Sequence, residues 1–140
     1  IPEITRLTRP DGWVEMVEGS GDFISNGNAT KRISEAVQNF LTSKGMNNII
    51  GEEIPRLLED TNAFSEIKYK KKDIVLGKKG GKSGEETLRF TTSAFSSVRT
   101  LLAANMNIMP EHFDALVETM TIEAEKTTTY MKQYRICGHK

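Results

Sequence analysis

Apolar residues recur every three to four positions in several stretches of this chain, which is the period of an amphipathic helix. The clearest stretch runs from Ala29 to Leu41 and is followed by Gly45, a residue suited to the left-handed end of a helix. Further helices are predicted over residues 2–8, 52–60, 88–102 and 110–124. Short runs of β-favouring residues predict strands over residues 13–17, 63–76 and 128–137. The predicted order is helix, strand, two helices, strand, two helices, strand.

Local signals indicate where these elements begin and end. The segment Thr8–Gly12 contains a proline and an Asp-Gly pair, which stop the first helix. Residues 19–28 are rich in glycine and polar residues and predict a loop, in which Asn28 caps the next helix. Pro55 is expected in the first turn of its helix, since a proline there disrupts no hydrogen bond. Ser83 begins a capping-box pattern and is expected to cap the fourth helix.

The alternation of strands and helices predicts an α/β fold with an incomplete sheet. Three strands are too few for a doubly wound sheet, in which helices cover both faces. The chain begins with Ile rather than Met, and a helix is already under way at Pro2. We therefore expect residues 1–140 to form a single partial domain, the C-terminal part of a larger one.

Composition narrows the functional classes. Lys and Arg number 19, as do Asp and Glu, so the net charge is zero and predicts no dedicated nucleic-acid surface. No apolar run approaches the roughly 18 residues that span a bilayer, so no membrane partner is expected. Cys137 is the only cysteine, which excludes an internal disulfide and agrees with a reducing compartment. We expect a cytoplasmic or nuclear location.

The segment Gly77–Ser83 invites comparison with a phosphate-binding loop, because it follows a strand and precedes a helix. That motif has a glycine, four residues, and then Gly-Lys-Ser or Gly-Lys-Thr. Counting back from Gly81 places the first glycine at Leu76, and Gly77 is one residue too close. A flexible turn is the favoured interpretation, and phosphate or nucleotide binding through this loop stays as an alternative.

Few other residues suggest chemistry. His112 and His139 have no Cys, Asp or His partner at metal-ligand spacing, so no metal site is predicted and both are expected at the surface. Cys137 is expected to be a small buried residue rather than a nucleophile. The lysines between Lys68 and Lys82 are interpreted as the solvated edge of a sheet, which lysine commonly protects from pairing.

A resemblance to a known family goes further. The segment Arg6–Glu18 resembles the "R-x-x-K/R-P-G-G-W/Y-V-E" passage that leads into the fifth strand of class I S-adenosylmethionine-dependent methyltransferases. Asp11 stands where the family has the first of two glycines. Three later blocks are similar to fungal methyltransferase-domain proteins, a group that includes regulators of secondary metabolism: Ser25–Gly27, Gly77–Glu85 and Lys132–Gly138. The blocks keep the family's order over essentially the whole chain, although the family usually has Trp where Lys79 stands.

The resemblance implies a partial Rossmann-like methyltransferase sheet with two helical pairs. Trp13–Val17 would be the fifth strand, and residues 63–76 and the terminal strand would be the antiparallel pair that closes a seven-stranded sheet. The family's glycine-rich loop for S-adenosylmethionine, and the acidic residue that holds the cofactor's ribose, belong to its first strands. Neither is in this sequence, so no cofactor-binding residue is expected here and the chain alone is expected to be inactive.

The resemblance implies that this chain contributes to the site of the methyl acceptor, which would be a small molecule or a protein. The segment after the fifth strand helps to cover the acceptor in this family, and four polar residues there become candidates for lining its pocket: Glu18, Asp22, Asn26 and Asn28. No catalytic residue is assigned. The alternative from another class is a non-catalytic interaction module, whose raw sheet edge at Trp13–Val17 would bind another protein or a second copy of the chain.

Overall fold

The computed structural model describes residues 1–140 and contains five α-helices and an open three-stranded sheet. The elements follow the predicted order: α1 Pro2–Leu7, β1 Trp13–Ile24, α2 Asn28–Ser43, α3 Ile50–Glu59, β2 Glu66–Val75, α4 Gly81–Asn105, α5 Pro110–Lys126 and β3 Tyr130–His139. A short 3₁₀ turn at Lys78–Gly80 precedes α4. None of the helices is long and apolar enough to cross a membrane.

The last strand along the chain is the middle strand of the sheet. The order is β1-β3-β2, so β1 and β2 form the two edges. Close to the end of β3, the amide of Asp11 donates to the carbonyl of Lys140 at 3.0 Å, and the amide of Ser65 donates to the carbonyl of His139 at 2.7 Å. Both neighbours therefore begin where β3 ends, and β3 is antiparallel to each of them.

The chain divides into two compact units. The first unit comprises residues 1–20, 49–72 and 132–140, and the second comprises residues 21–48 and 73–131. Each unit has its own cluster of buried apolar side chains.

In the first unit, α3 packs on one face of the sheet. Ile54 and Leu58 of α3 are buried against Tyr134 and Ile136 of β3. Gly51 allows this close approach, because a Cβ atom at that position would collide with the ring of Tyr134.

The core of the second unit lies among α2, α4 and α5. Phe95 of α4 makes edge-to-face contacts with Phe23 and Phe113, with ring centroids 5.6 and 6.3 Å apart. The inward faces predicted for the three helices are confirmed by side chains that include Ile33, Leu102 and Met120.

Several predicted boundaries are confirmed and others are wrong. Gly45 follows the C-cap of α2 with φ +69°, and Pro110 is the first residue of α5, as expected. The loop predicted at residues 19–28 is wrong, because β1 continues to Ile24. The side chain of Ser20 is buried and its Oγ accepts a hydrogen bond from the amide of Lys132 at 3.0 Å, so pairing with β3 overrides the local preference of a Gly-Ser-Gly run.

Two predictions about helix starts are also wrong. Pro55 lies inside α3 rather than in its first turn, because the helix begins at Ile50. Ser83 lies inside α4, whose N-cap is Gly80 and whose N-terminus has no side-chain cap. The first turn of α4 packs closely on β2 and requires glycine, since a Cβ atom at Gly80 or at Gly84 would collide with the carbonyl of Val75.

Candidate functional site

The four residues predicted on the acceptor side lie in different surroundings. Glu18 is half-buried in the part of β1 that belongs to the first unit. Asp22, Asn26 and Asn28 are exposed residues of the second unit. Asp22 lies in β1, Asn26 in the bend after it, and Asn28 at the start of α2. Expecting Asp22 in a loop was therefore wrong, and Glu18 lies within the strand rather than after it, since β1 continues to Ile24.

The carboxylate of Asp22 is hydrogen-bonded to α2. Its Oδ1 accepts from the hydroxyl of Ser34 on α2 at 3.0 Å, and the same hydroxyl accepts from the amide of Phe23 at 3.0 Å. The carboxylate thus helps to fasten the end of β1 to α2.

The N-terminus of α2 is capped by a residue from far along the chain. Glu123 of α5 accepts hydrogen bonds from the amide of Ala29 at 3.0 Å, the amide of Thr30 at 2.9 Å and the hydroxyl of Thr30 at 2.7 Å. The N-cap position itself is Gly27, which offers no side chain. The prediction that Asn28 caps this helix is wrong, because Glu123 satisfies the donors that an asparagine cap would have taken.

These donors determine the charge state of Glu123. Burial raises the pKa of this carboxyl, but hydrogen bonds from the amide and hydroxyl of Thr30 and from the amides of Ala29 and Asn28 outweigh it and lower the pKa overall. A carboxylate at a helix N-terminus is further favoured by the helix dipole. Glu123 is thus held as an anion that organises the segment before α2.

The same segment is fixed from its other side. The hydroxyls of Ser25 and Thr129 are 2.8 Å apart, and the amide of Gly27 donates to Ser25 Oγ at 3.0 Å. A Cβ atom at Gly27 would collide with the side chain of Glu123, so this position requires glycine. We call residues 25–30 together with Glu123 and Thr129 the Glu123 cap; it presents two exposed amide side chains, those of Asn26 and Asn28.

The Gly77–Ser83 loop borders a depression of about 320 Å³ whose lining includes Lys78, Arg89 and Glu125. Three of its amides are engaged: Gly77 donates to the carbonyl of Gly84, Gly80 to that of Gly77, and Lys78 to a carboxylate oxygen of Glu125. A phosphate-binding loop needs such amides free to point at the anion. The geometry therefore disfavours the phosphate alternative for this loop.

Sequence reasoning missed a polar cluster in the first unit. Glu52 of α3 accepts from the hydroxyl of Tyr134 at 2.8 Å and from Lys71 Nζ at 3.1 Å. The bond from Tyr134, followed by the bond and charge of Lys71, lowers the pKa of Glu52. The ammonium of Lys71 also lies 5.6 Å from the centre of the Tyr134 ring. This cluster ties α3 to β2 and β3.

His112, His139 and Cys137 belong to no cluster of metal-binding side chains. No group of three or more His, Cys, Asp or Glu side chains lies close enough together to hold a metal ion. His112 is exposed as predicted, whereas His139 is half-buried and stacks on Trp13 with ring centroids 4.7 Å apart. Cys137 is half-buried rather than buried.

No known protein family matches the chain, and no curated protein matches it either. The case for a function therefore depends on the arrangement of these residues.

Proposed function

We propose that this chain is the C-terminal portion of a class I S-adenosylmethionine-dependent methyltransferase, contributing the edge of the sheet and the helices on the acceptor side. The observation that carries the proposal is the position of β3, which lies between β1 and β2 and is antiparallel to both. The resemblance requires an antiparallel pair after the fifth strand, made of the two segments that form β2 and β3. An α/β sheet with this edge supports the proposed relationship.

The glycines of the Gly77–Glu85 block support the same proposal. Gly77 has φ +75°, and Gly80 and Gly84 pack against the carbonyl of Val75 so closely that no side chain fits. The spacing that produced the resemblance at Gly77–Glu85 thus has a physical reason in this chain. Where the family has Trp, Lys79 donates from Nζ to the carbonyl of Lys126 at 2.9 Å, a polar tie in place of an aromatic contact.

The residues present do not fit the cofactor. Gly19-Ser20-Gly21, the one early Gly-x-Gly spacing, lies within β1 and does not precede a helix. We assign no cofactor contact to this chain and propose that S-adenosylmethionine is held by a preceding part of the parent protein. Asn26 and Asn28 are the proposed acceptor-side residues, and the Glu123 cap fixes the segment that carries them.

The test compares this chain with the longest translated protein that contains its sequence. Calorimetry with S-adenosylmethionine is expected to show no binding to residues 1–140, whereas the longer protein binds labelled cofactor in equilibrium dialysis. An Asn26→Ala/Asn28→Ala variant of the longer protein is expected to keep cofactor affinity and lose methyl transfer to its acceptor. A longer protein that neither binds the cofactor nor transfers its methyl group would contradict the proposal.

A second candidate function is docking of another protein strand on β1. This edge strand contains no Lys, Arg or Pro, and its Trp13 and Val17 are 52% and 53% exposed. The opposite edge, β2, is protected by Lys68, Lys70, Lys71 and Lys72. Because β1 lacks lysine and proline whereas the opposite edge is lined with lysines, strand pairing is favoured at β1.

Association through β1 is tested by gel filtration over a range of concentrations. Val17→Lys places a charge on the exposed side of the edge and is expected to abolish concentration-dependent association. A wild-type chain that stays monomeric and binds little hydrophobic dye at the highest concentration would exclude this second function.

A further inference from the structure

The sheet of the first unit has one face covered by α3 and one face that is exposed. Tyr134 and Ile136 point toward α3, so the residues that alternate with them along β3 lie on the other side. Side-chain contacts across the sheet identify their companions, because Trp13 contacts His139 of β3 and Lys68 of β2, and Glu15 pairs with Arg135. We call this surface the open face: Trp13, Glu15 and Val17 on β1, Arg135, Cys137 and His139 on β3, and Lys68, Lys70 and Lys72 on β2.

Trp13 forms an aromatic platform on the open face. Its ring stacks on His139 with planes 23° apart, which fixes the indole, yet half of the side chain stays exposed. Lys68 Nζ lies 4.8 Å from the centre of the same ring. Trp13 also borders an open depression of about 680 Å³ that Leu7 and Arg9 help to line. A flat ring could therefore stack on Trp13 and enter the depression.

Positive charge continues from this platform along β2. Lys68 pairs with Glu66, and Arg135 pairs with Glu15, whereas Lys70 and Lys72 form no ion pair. Alternate residues of a strand point to the same face about 6.6 Å apart, so the three lysines form an evenly spaced row. The net charge of zero, which predicted no nucleic-acid surface, sums over the whole chain and does not report this local excess.

We propose that the open face binds single-stranded nucleic acid, with a base stacked on Trp13 and successive phosphates along Lys68, Lys70 and Lys72. An aromatic ring that accepts a base, next to a row of cations that follows the backbone, is the arrangement by which proteins hold single strands without reading sequence. An acidic peptide matches the charges but offers no base for the ring. A duplex keeps its bases stacked inside the helix and cannot present one to Trp13. This proposal is independent of the methyltransferase proposal.

The intrinsic fluorescence of the chain gives a direct test, because Trp13 is its only tryptophan. The intact chain is titrated with oligo(dT) at low salt while the emission of Trp13 is recorded. Saturable quenching is expected. The logarithm of affinity should fall with the logarithm of salt concentration by about 0.7 for each phosphate that is neutralised.

Matched variants, followed by anisotropy of a labelled oligonucleotide, locate the binding. Lys70→Ala/Lys72→Ala is expected to reduce the salt slope by about 1.4, since two phosphate contacts are lost. Lys31→Ala/Lys82→Ala removes the same charge from exposed helical positions of the second unit and should leave affinity unchanged. Trp13→Ala is expected to weaken binding by about 5- to 150-fold, and Trp13→Phe should restore part of it. Circular dichroism confirms that each variant is folded.

Four results would overturn the proposal. They are absence of quenching and of anisotropy change at low salt, equal affinity for polyglutamate, equal affinity for a duplex of the same sequence, and equal loss of binding in the two double-lysine variants.

Discussion

Glu123 caps the start of α2 from a distant part of the chain. It receives three hydrogen bonds from Ala29 and Thr30, and Thr30 is fully buried. Glu123→Ala is expected to lower the free energy of unfolding by about 2 kcal/mol, because helix amides lose their cap and a buried hydroxyl loses its acceptor. Urea unfolding of Glu118→Gln, an exposed glutamate on the same helix, serves as the control and should change little.

The effect of Glu123 should depend on pH with a definite sign. The folded-state pKa of Glu123 is lowered, so its contribution to stability is fully present above the ordinary glutamate pKa of about 4.3. It is lost as the pH falls through the lowered folded-state pKa. The stability difference between wild type and Glu123→Ala should therefore narrow in acid, when urea unfolding is repeated at several pH values between 7 and 3. A difference that stays constant over this range would show that the carboxylate is not the capping group.

Replacing Gly27 should lower stability through a collision with Glu123 and not through backbone strain. Its φ of −69° and ψ of 136° suit any residue, but a Cβ atom would collide with the Glu123 side chain. Gly27→Ala is expected to destabilise the wild type by at least about 1 kcal/mol. It should cost clearly less in the Glu123→Ala background, and a double-mutant cycle measures the difference. Equal costs in both backgrounds would mean that the collision is absent.

The sequence contains one indication of the role of Glu123. The apolar face of α5 was predicted from Phe113, Leu116, Val117, Met120 and Ala124, and position 123 lies on that same face, three residues after Met120. A charged residue on an inward face requires a partner. Its partner lies more than 90 residues earlier, so the residue could have been suspected from sequence but its role could not.

At the level of elements, the helices could be predicted and their ends often could not. The spacing of apolar residues reflects which side of a helix is buried. In α2, α4 and α5 the same side is buried over many residues, so the pattern is clear. Ends depend on single contacts: pairing with β3 extends β1 to Ile24, and the carbonyl of Val75 packs against Gly80 before α4. Such contacts join distant residues, which local propensity does not encode.

Pro55 and Pro110 should respond differently to replacement. Pro55 lies in the interior of α3, where it removes the hydrogen bond to the carbonyl four residues earlier, whereas Pro110 is the first residue of α5. Pro55→Ala is expected to raise the free energy of unfolding by about 1 kcal/mol or more, since alanine restores that bond and favours helix. Pro110→Ala should give no gain, because the first amide of a helix has no partner within the helix.

Chemical denaturation of the two proline variants distinguishes these cases. The gain for Pro55→Ala is limited by the extra freedom that alanine gives the unfolded chain. A loss of stability in Pro55→Ala would show that the ring of this half-buried proline contributes more through packing than its missing amide costs.

The whole sheet depends on the end of the chain. Neither β1 nor β2 pairs with the other, and β3 receives hydrogen bonds along both of its sides. The local sequence pattern predicted all three strands. The antiparallel pairing of β2 with β3 was implied only by the resemblance, and neither the pattern nor the resemblance placed β3 next to β1. Pairing of strands so distant in sequence is decided by the packed structure rather than by local pattern.

Removing β3 should therefore disrupt far more than its length suggests. Deletion of residues 130–140 removes the partner of both edge strands together with the buried side chains of Tyr134 and Ile136. We expect loss of cooperative unfolding and of the β signal in far-ultraviolet circular dichroism. Deletion of residues 1–7 is the control: it removes α1, which has no buried residue, and should leave a cooperative transition. If the chain without residues 130–140 still unfolds cooperatively with its strand content intact, β1 and β2 have another partner and the central position of β3 is not what holds the sheet together.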